Sequence, residues 1–79
     1  MDIDNLVRMA NQIGSFYESY PDAQEALTEI SAHLKKFWAP RMRSVLLDHV
    51  DNHQGEGLSD MVLTSIKANR EKLQPPVNF

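Results

Sequence analysis

Apolar residues recur along this chain at three- and four-residue steps, the period of helices that bury one face. Ile3, Leu6, Val7, Ala10, Ile13 and Tyr17 fall on one stripe, with Asn5, Arg8, Asn11, Gln12 and Ser15 elsewhere, which predicts a first helix over about residues 3–18. Asp2 or Asp4 can cap it, and Pro21 stops it by disfavouring helical backbone at Tyr20. Ala23, Ala26, Leu27, Ile30, Leu34 and Phe37 form a second stripe behind Asp22 as N-cap, with Gln24, Glu25, Thr28, Glu29 and Lys36 toward solvent. Lys35 and Lys36 lie in its last turn, where cations suit the carboxyl pole, and Pro40 forces a break near Trp38-Ala39.

A third helix is predicted from Pro40 through Met42, Val45, Leu46, His49 and Val50 to about Asn52, ended by Gly55-Glu56-Gly57. Ser59 can cap a fourth, whose core face is Met61 or Val62, Ile66, Asn69 and Leu73, and Pro75-Pro76 terminates it. No segment alternates with period two, and there is no internal repeat. The expectation is an all-α fold, a small bundle of about four helices with short loops, in one domain over residues 1–74 with an extended tail over 75–79.

Size then narrows the function. With 79 residues and 9.0 kDa, the chain has room for one small core and hardly for a conventional enzyme fold. Its 42% hydrophobic and 24% charged residues are those of a folding chain, too apolar for a disordered one. The absence of cysteine removes thiol catalysis, Cys-ligated zinc and iron–sulfur ligation and suits a reducing cytoplasm. The acidic Met1-Asp-Ile-Asp start lacks a signal peptide's pattern, and charges interrupt every apolar stretch short of a membrane span. A soluble cytoplasmic protein is expected, away from membranes. A net charge of −3 likewise argues against broad attraction to nucleic acid.

Catalytic and cofactor chemistry is not visible. His49 and His53, four apart, would share a helix face and could in principle bind one metal, but Val50-Asp-Asn52 between them lacks the glutamate of zinc proteases. At a helix end His53 is equally at home beside exposed carbonyls. The carboxylates avoid apolar stretches, the three glycines form no phosphate loop, and no serine sits in a strand–turn–helix elbow. The expectation is a chain without its own catalytic site, bound cofactor or metal.

Two features go beyond what a small bundle needs. Gly14 lies inside the first helix, where glycine costs about 1 kcal/mol relative to alanine. Either close packing within the domain or close approach by another subunit would explain it. The second is charge: residues 35–43 sum to +4, half of the eight basic residues in nine positions. Arg41 and Arg43 fall in the first turn of the third helix, where cations are disfavoured. With Lys35, Lys36, Phe37 and Trp38 they make a basic, aromatic cluster around the single tryptophan, and Trp and Arg are enriched at binding hot spots. The alternative is that Phe37 and Trp38 fill the core at the helix corner while the cations solvate it. Phe37 is placed in the core on this reading, and the cluster as a whole, with Gly14, is the candidate partner interface.

Two stretches carry a family resemblance: Met1-Asp-Ile-Asp-Asn-Leu-Val-Arg-Met-Ala-Asn-Gln-Ile-Gly14 with Ser15-Phe16-Tyr17, and Lys36-Phe-Trp-Ala-Pro-Arg-Met-Arg43. On these the chain resembles the delta subunit of soluble, NAD-dependent, molybdenum-containing formate dehydrogenases, over about residues 1–52, and more thinly at Gly57-Leu58-Ser59. The resemblance implies a non-catalytic accessory subunit of a cytoplasmic complex. In that complex the large subunit holds the molybdenum centre and iron–sulfur clusters, and other subunits carry FMN and pass electrons to NAD. The implied role is assembly or stabilisation of the complex, with support of molybdenum-cofactor insertion as one form it can take. The partner is then the large molybdenum-containing subunit. The alternative is a free-standing helical module, self-associating as a homo-oligomer, regulatory, or binding nucleic acid through the basic 35–43 segment.

Overall fold

Of the five helices among the described residues, the first, second and fourth in chain order begin where a side-chain oxygen accepts from their free N–H groups. The computed structural model describes residues 1–76. The first helix, α1 (Ile3–Tyr17), starts at Asp2, whose carboxylate accepts from the Asp4 N–H at 3.0 Å. The second, α2 (Ala23–Phe37), starts at Asp22, whose Oδ1 accepts from Gln24 and Glu25 at 2.9 and 3.3 Å. Next comes α3 (Pro40–His53), which has Pro40 in its first turn but no side-chain cap at Ala39. Then α4 (Asp60–Ala68) is capped by Ser59, which accepts from the Val62 N–H. The helix expected to run from Ser59 to the prolines breaks at Asn69. Asn69 Nδ2 hydrogen-bonds the Ser65 carbonyl at 3.0 Å, and a single further turn, α5 (Arg70–Leu73), follows. The described residues hold five helices and no strand. Of the expected tail, Pro75 and Pro76 lie beyond α5, and Val77 to Phe79 lie outside the described residues.

The core is built where α2 crosses α1 and α4. Leu6 and Ala10 of α1, Ala26, Ile30 and Leu34 of α2, Leu46, Leu47 and Val50 of α3, Val62 and Ile66 of α4, and Leu73 are buried together. Val62, of the two residues considered for the fourth helix, faces inward, and Met61 is half-buried. Along α3 the buried face is Arg43, Leu46, Leu47 and Val50, whereas the expected Met42, Val45 and His49 are half-buried. Phe37 is a correction. The apolar spacing put it in the core, but it is 63% exposed, and Trp38, which leaves the helix with extended backbone, is the ring that turns inward, at 5%.

One polar contact crosses the core. Ser31 and Ser65, both buried, hydrogen-bond each other at 2.7 Å, and Ser65 also bonds the Leu27 carbonyl, tying α2 to α4 with every group satisfied. The α3–α4 loop is held by α1: Asn11 donates to the Gly57 carbonyl and accepts from the Ser59 N–H, both at 2.9 Å. The Asp51 carboxylate pairs with the Arg70 guanidinium, joining α3 to α5. The hydrogen bond from Arg70 holds Asp51 below the usual carboxylate range, and the same bond raises Arg70. The radius of gyration, 11.8 Å, matches the roughly 12 Å expected of a packed chain this long, so the helices are not splayed.

Candidate partner interface

The outer face of α1 carries Met9, Gln12, Ile13, Phe16 and Tyr17, at the three- and four-residue spacing of one helix side. Met9, Ile13 and Tyr17 are half-buried against the edge of the core, and Gln12 and Phe16 are exposed. With His33 of α2 and Trp38 they line an open, mainly apolar groove of about 600 Å³. A smaller cavity of about 240 Å³ continues it, sharing Tyr17 and His33 and adding Glu29, Lys36 and Phe37. Phe16 is 69% exposed beside the groove. Large exposed aromatics set together are where a soluble surface departs from the ordinary.

These rings are mutually arranged. Phe16 and Tyr17 meet edge to face with centroids 5.0 Å apart, as do Tyr17 and Tyr20. His33 lies 4.7 Å from Phe37, and the Lys36 ammonium sits 5.4 Å from the Phe37 centroid, within cation–π range. Desolvation raises the Tyr17 phenol above its ordinary value, with smaller contributions in the same direction from Tyr20 and Glu29.

The residues singled out from the sequence divide among three places. Lys36, Phe37 and Trp38 belong to the groove. Gly14 does not reach the surface: it is buried where α1 meets α4, and a Cβ built there would stand 2.5 Å from Val62 Cγ2. Close packing within the chain is the reading this geometry supports. Lys35 and Arg41 are exposed and line neither cavity. Arg43 is only 8% exposed, and its Nε is buried with no hydrogen-bond partner. Trp38 is thus already held by this chain's own core, and Phe37, assigned to the core from the sequence, is the exposed ring. Ile13 and Tyr17, which the sequence places on the α1 core stripe, are half-buried against the core and also line the groove, whereas Met9 and Phe16 lie off that stripe and the sequence reading did not single them out. The exposure of Phe16, one step off the Ile13–Tyr17 line, was the signal available.

His49 and His53 stack with ring centroids 5.8 Å apart, and His49 Nε2 is engaged with the Glu56 carbonyl at 2.7 Å, closing the α3–α4 turn. Among the described residues no group of three or more His, Cys, Asp or Glu side chains is placed to hold a metal ion. None of the helices described is long and apolar enough to cross a membrane. What this surface offers is an apolar, aromatic groove beside a cationic helix start.

Residues 5–66 match the protein family described as NADH-dependant formate dehydrogenase delta subunit FdsD. The matched span runs from the first turn of α1 to Ile66 and includes the groove, Gly14 and the whole 35–43 segment. No curated protein and no solved structure matches the chain.

Proposed function

The chain belongs to the family of NADH-dependent formate dehydrogenase delta subunits, and from that premise we propose that it is a non-catalytic accessory subunit that docks on the large molybdenum-containing subunit. Its role is to assemble or stabilise the cytoplasmic complex, including support of molybdenum-cofactor insertion, and residues 1–74 act in this as one domain. The observation that carries the reading is the groove lined by Met9, Ile13, Phe16, Tyr17 and Trp38. It leaves apolar and aromatic surface uncovered on a domain too small to spend it idly. Phe37 and Lys36 line the adjoining cavity, where Lys36 adds positive charge, and Lys35 and Arg41 are further exposed cations of the same 35–43 segment. Gly14 contributes by letting α1 and α4 close together.

Co-purification tests the proposal. A tagged full-length chain expressed in its native host should bring down a large molybdoprotein with formate-dependent NAD reduction. The chain purified by itself should show no such turnover. Its deletion should lower yield or molybdenum occupancy of the dehydrogenase without abolishing chemistry in whatever complex assembles. A chain that elutes as a homo-oligomer free of any dehydrogenase would instead favour the self-associating module.

A further inference from the structure

We infer, resting on the reading of the chain as a subunit, that the groove beside α1 receives an amphipathic helix of the partner subunit. Its apolar anchors recur at three- and four-residue steps, and its flank is acidic. The first support is the width of the apolar arc on α1. At about 100° per residue, the apolar positions from Val7 round to Phe16 cover about 180° of the helix surface, where a helix serving one core needs a stripe of about 100°. The part that is fully covered, Leu6, Ala10 and Gly14, takes up one side of that arc. The excess lies on the other side, at Met9, Ile13 and Phe16, and these three line the groove.

The walls of the groove set the form of the occupant. The described residues hold no strand, so they present no sheet edge for a partner strand to extend. Met9, Ile13 and Phe16 follow one another at four- and three-residue steps over about 10 Å, about two turns. They make a ridge of the kind a second helix packs against with its own residues at the same spacing. Charge then selects which helix. Among the described residues the one ion pair is Asp51 with Arg70, so Lys36, which lines the adjoining cavity, has no acid paired with it. The exposed Lys35 and Arg41 of the same segment have none either. Glu29 is the single acid lining the groove or that cavity. A partner helix bringing cations here would meet like charge, whereas acids within a turn of its anchors pair with Lys36. A second copy of this chain does not supply such a helix by the same face. The excess arc of its α1 is flanked by Asn5, Gln12 and Arg8, not by acids.

Cross-linking in the assembled complex tests this. A photoreactive phenylalanine analogue at position 16 of the full chain should join the large subunit at one segment, with apolar residues at three- and four-residue steps and an acid within a turn of them. Cross-linking to a second copy of this chain, or to a segment without that pattern, overturns the inference. No cross-link in a complex that does assemble also overturns it and leaves the subunit reading intact, whereas failure of the wild-type chain to bind the dehydrogenase removes both. Should the analogue itself prevent assembly, Phe16→Ala and Lys36→Glu decide. Both residues are exposed, so both variants should melt as wild type does. Phe16→Ala should weaken binding to the dehydrogenase by about thirtyfold or more, the loss typical of an anchor residue. Lys36→Glu should weaken it by a smaller factor that shrinks as salt is raised, and reversing the acid of the captured segment to lysine should restore what was lost. Wild-type-like binding by Phe16→Ala overturns the docking in the groove, and wild-type-like binding by Lys36→Glu at low salt overturns the acidic flank.

Discussion

Replacing Gly14 by alanine sets two opposing effects against each other at one atom. On helix propensity the substitution should stabilise by about 1 kcal/mol. Packing acts the other way. The new methyl would stand 2.5 Å from Val62 Cγ2, with Ser59 Oγ at 3.7 Å and Val62 Cβ at 3.9 Å. Carbon atoms in ordinary contact stay about 3.5–4.0 Å apart, so something must move by about 1 Å. Val62 cannot give way by rotation, because a β-branched side chain on a helix has one strongly preferred rotamer and this one is wholly buried. The remaining route is to part α1 from α4, and overpacking of that kind costs about 1–3 kcal/mol. The net expectation is a loss of up to about 2 kcal/mol, read by urea unfolding of the isolated chain. Val62→Ala should itself cost about 2 kcal/mol, from two lost methyl groups and the cavity they leave. In the double variant the collision is gone, so its loss should fall short of the sum of the single losses by about 1–3 kcal/mol. If Gly14→Ala raised stability by about 1 kcal/mol, α1 and α4 would not approach closely, and Gly14 would have to answer to a contact outside this chain.

Trp38→Ala should cost about 3–5 kcal/mol, the usual loss for a buried aromatic, while Phe37→Ala should stay within about 0.5 kcal/mol; similar losses in thermal unfolding would contradict the exchange of these two rings between core and surface. Gln54 holds a left-handed backbone with φ 59° at the end of α3. Gln54→Gly should therefore stabilise by about 1 kcal/mol, the relief of left-handed strain less the added entropy of glycine, and no gain in denaturant unfolding would refute the assignment. The Tyr17 phenol ionises above its ordinary value of 10.0 because it is partly desolvated. Its contribution to stability is thus complete below about pH 10 and declines as pH rises from there through the folded value. Ultraviolet titration in a Tyr20→Phe background should place the Tyr17 midpoint above that of the unfolded chain, and a midpoint at or below it would reverse the sign.

The helices were legible because caps and period agree. Asp2, Asp22 and Ser59 sit where the hydrophobic stripes begin, and the stripes persist for several turns. The period fails where a helix ends. Phe37 is three residues past Leu34 and so appears to continue the core stripe, but Trp38 departs with φ −93° and ψ 132°, and that turn of the backbone swings the larger ring inward instead. The cost of Gly14 could be read from its place in a helix, whereas its neighbour Val62 lies on a helix that the sequence does not orient.

Arg43 shows a different kind of failure. The buried positions of α3 are 43, 46, 47 and 50, an unbroken three- and four-residue face, and spacing taken without regard to residue type would have included the first of them. Residue type instead pulled the inferred face toward Met42 and Val45. The helix therefore obeys the periodic rule at a position where the chemistry of the chain contradicts it. Core positions filled by arginine are rare unless the charge is paired, and among the described residues nothing pairs with this one. Arginine is a good helix former, but packing and the helix dipole would each favour another residue at that site. What periodicity can locate is therefore the buried face, and what it cannot do is say which residue type will stand on it.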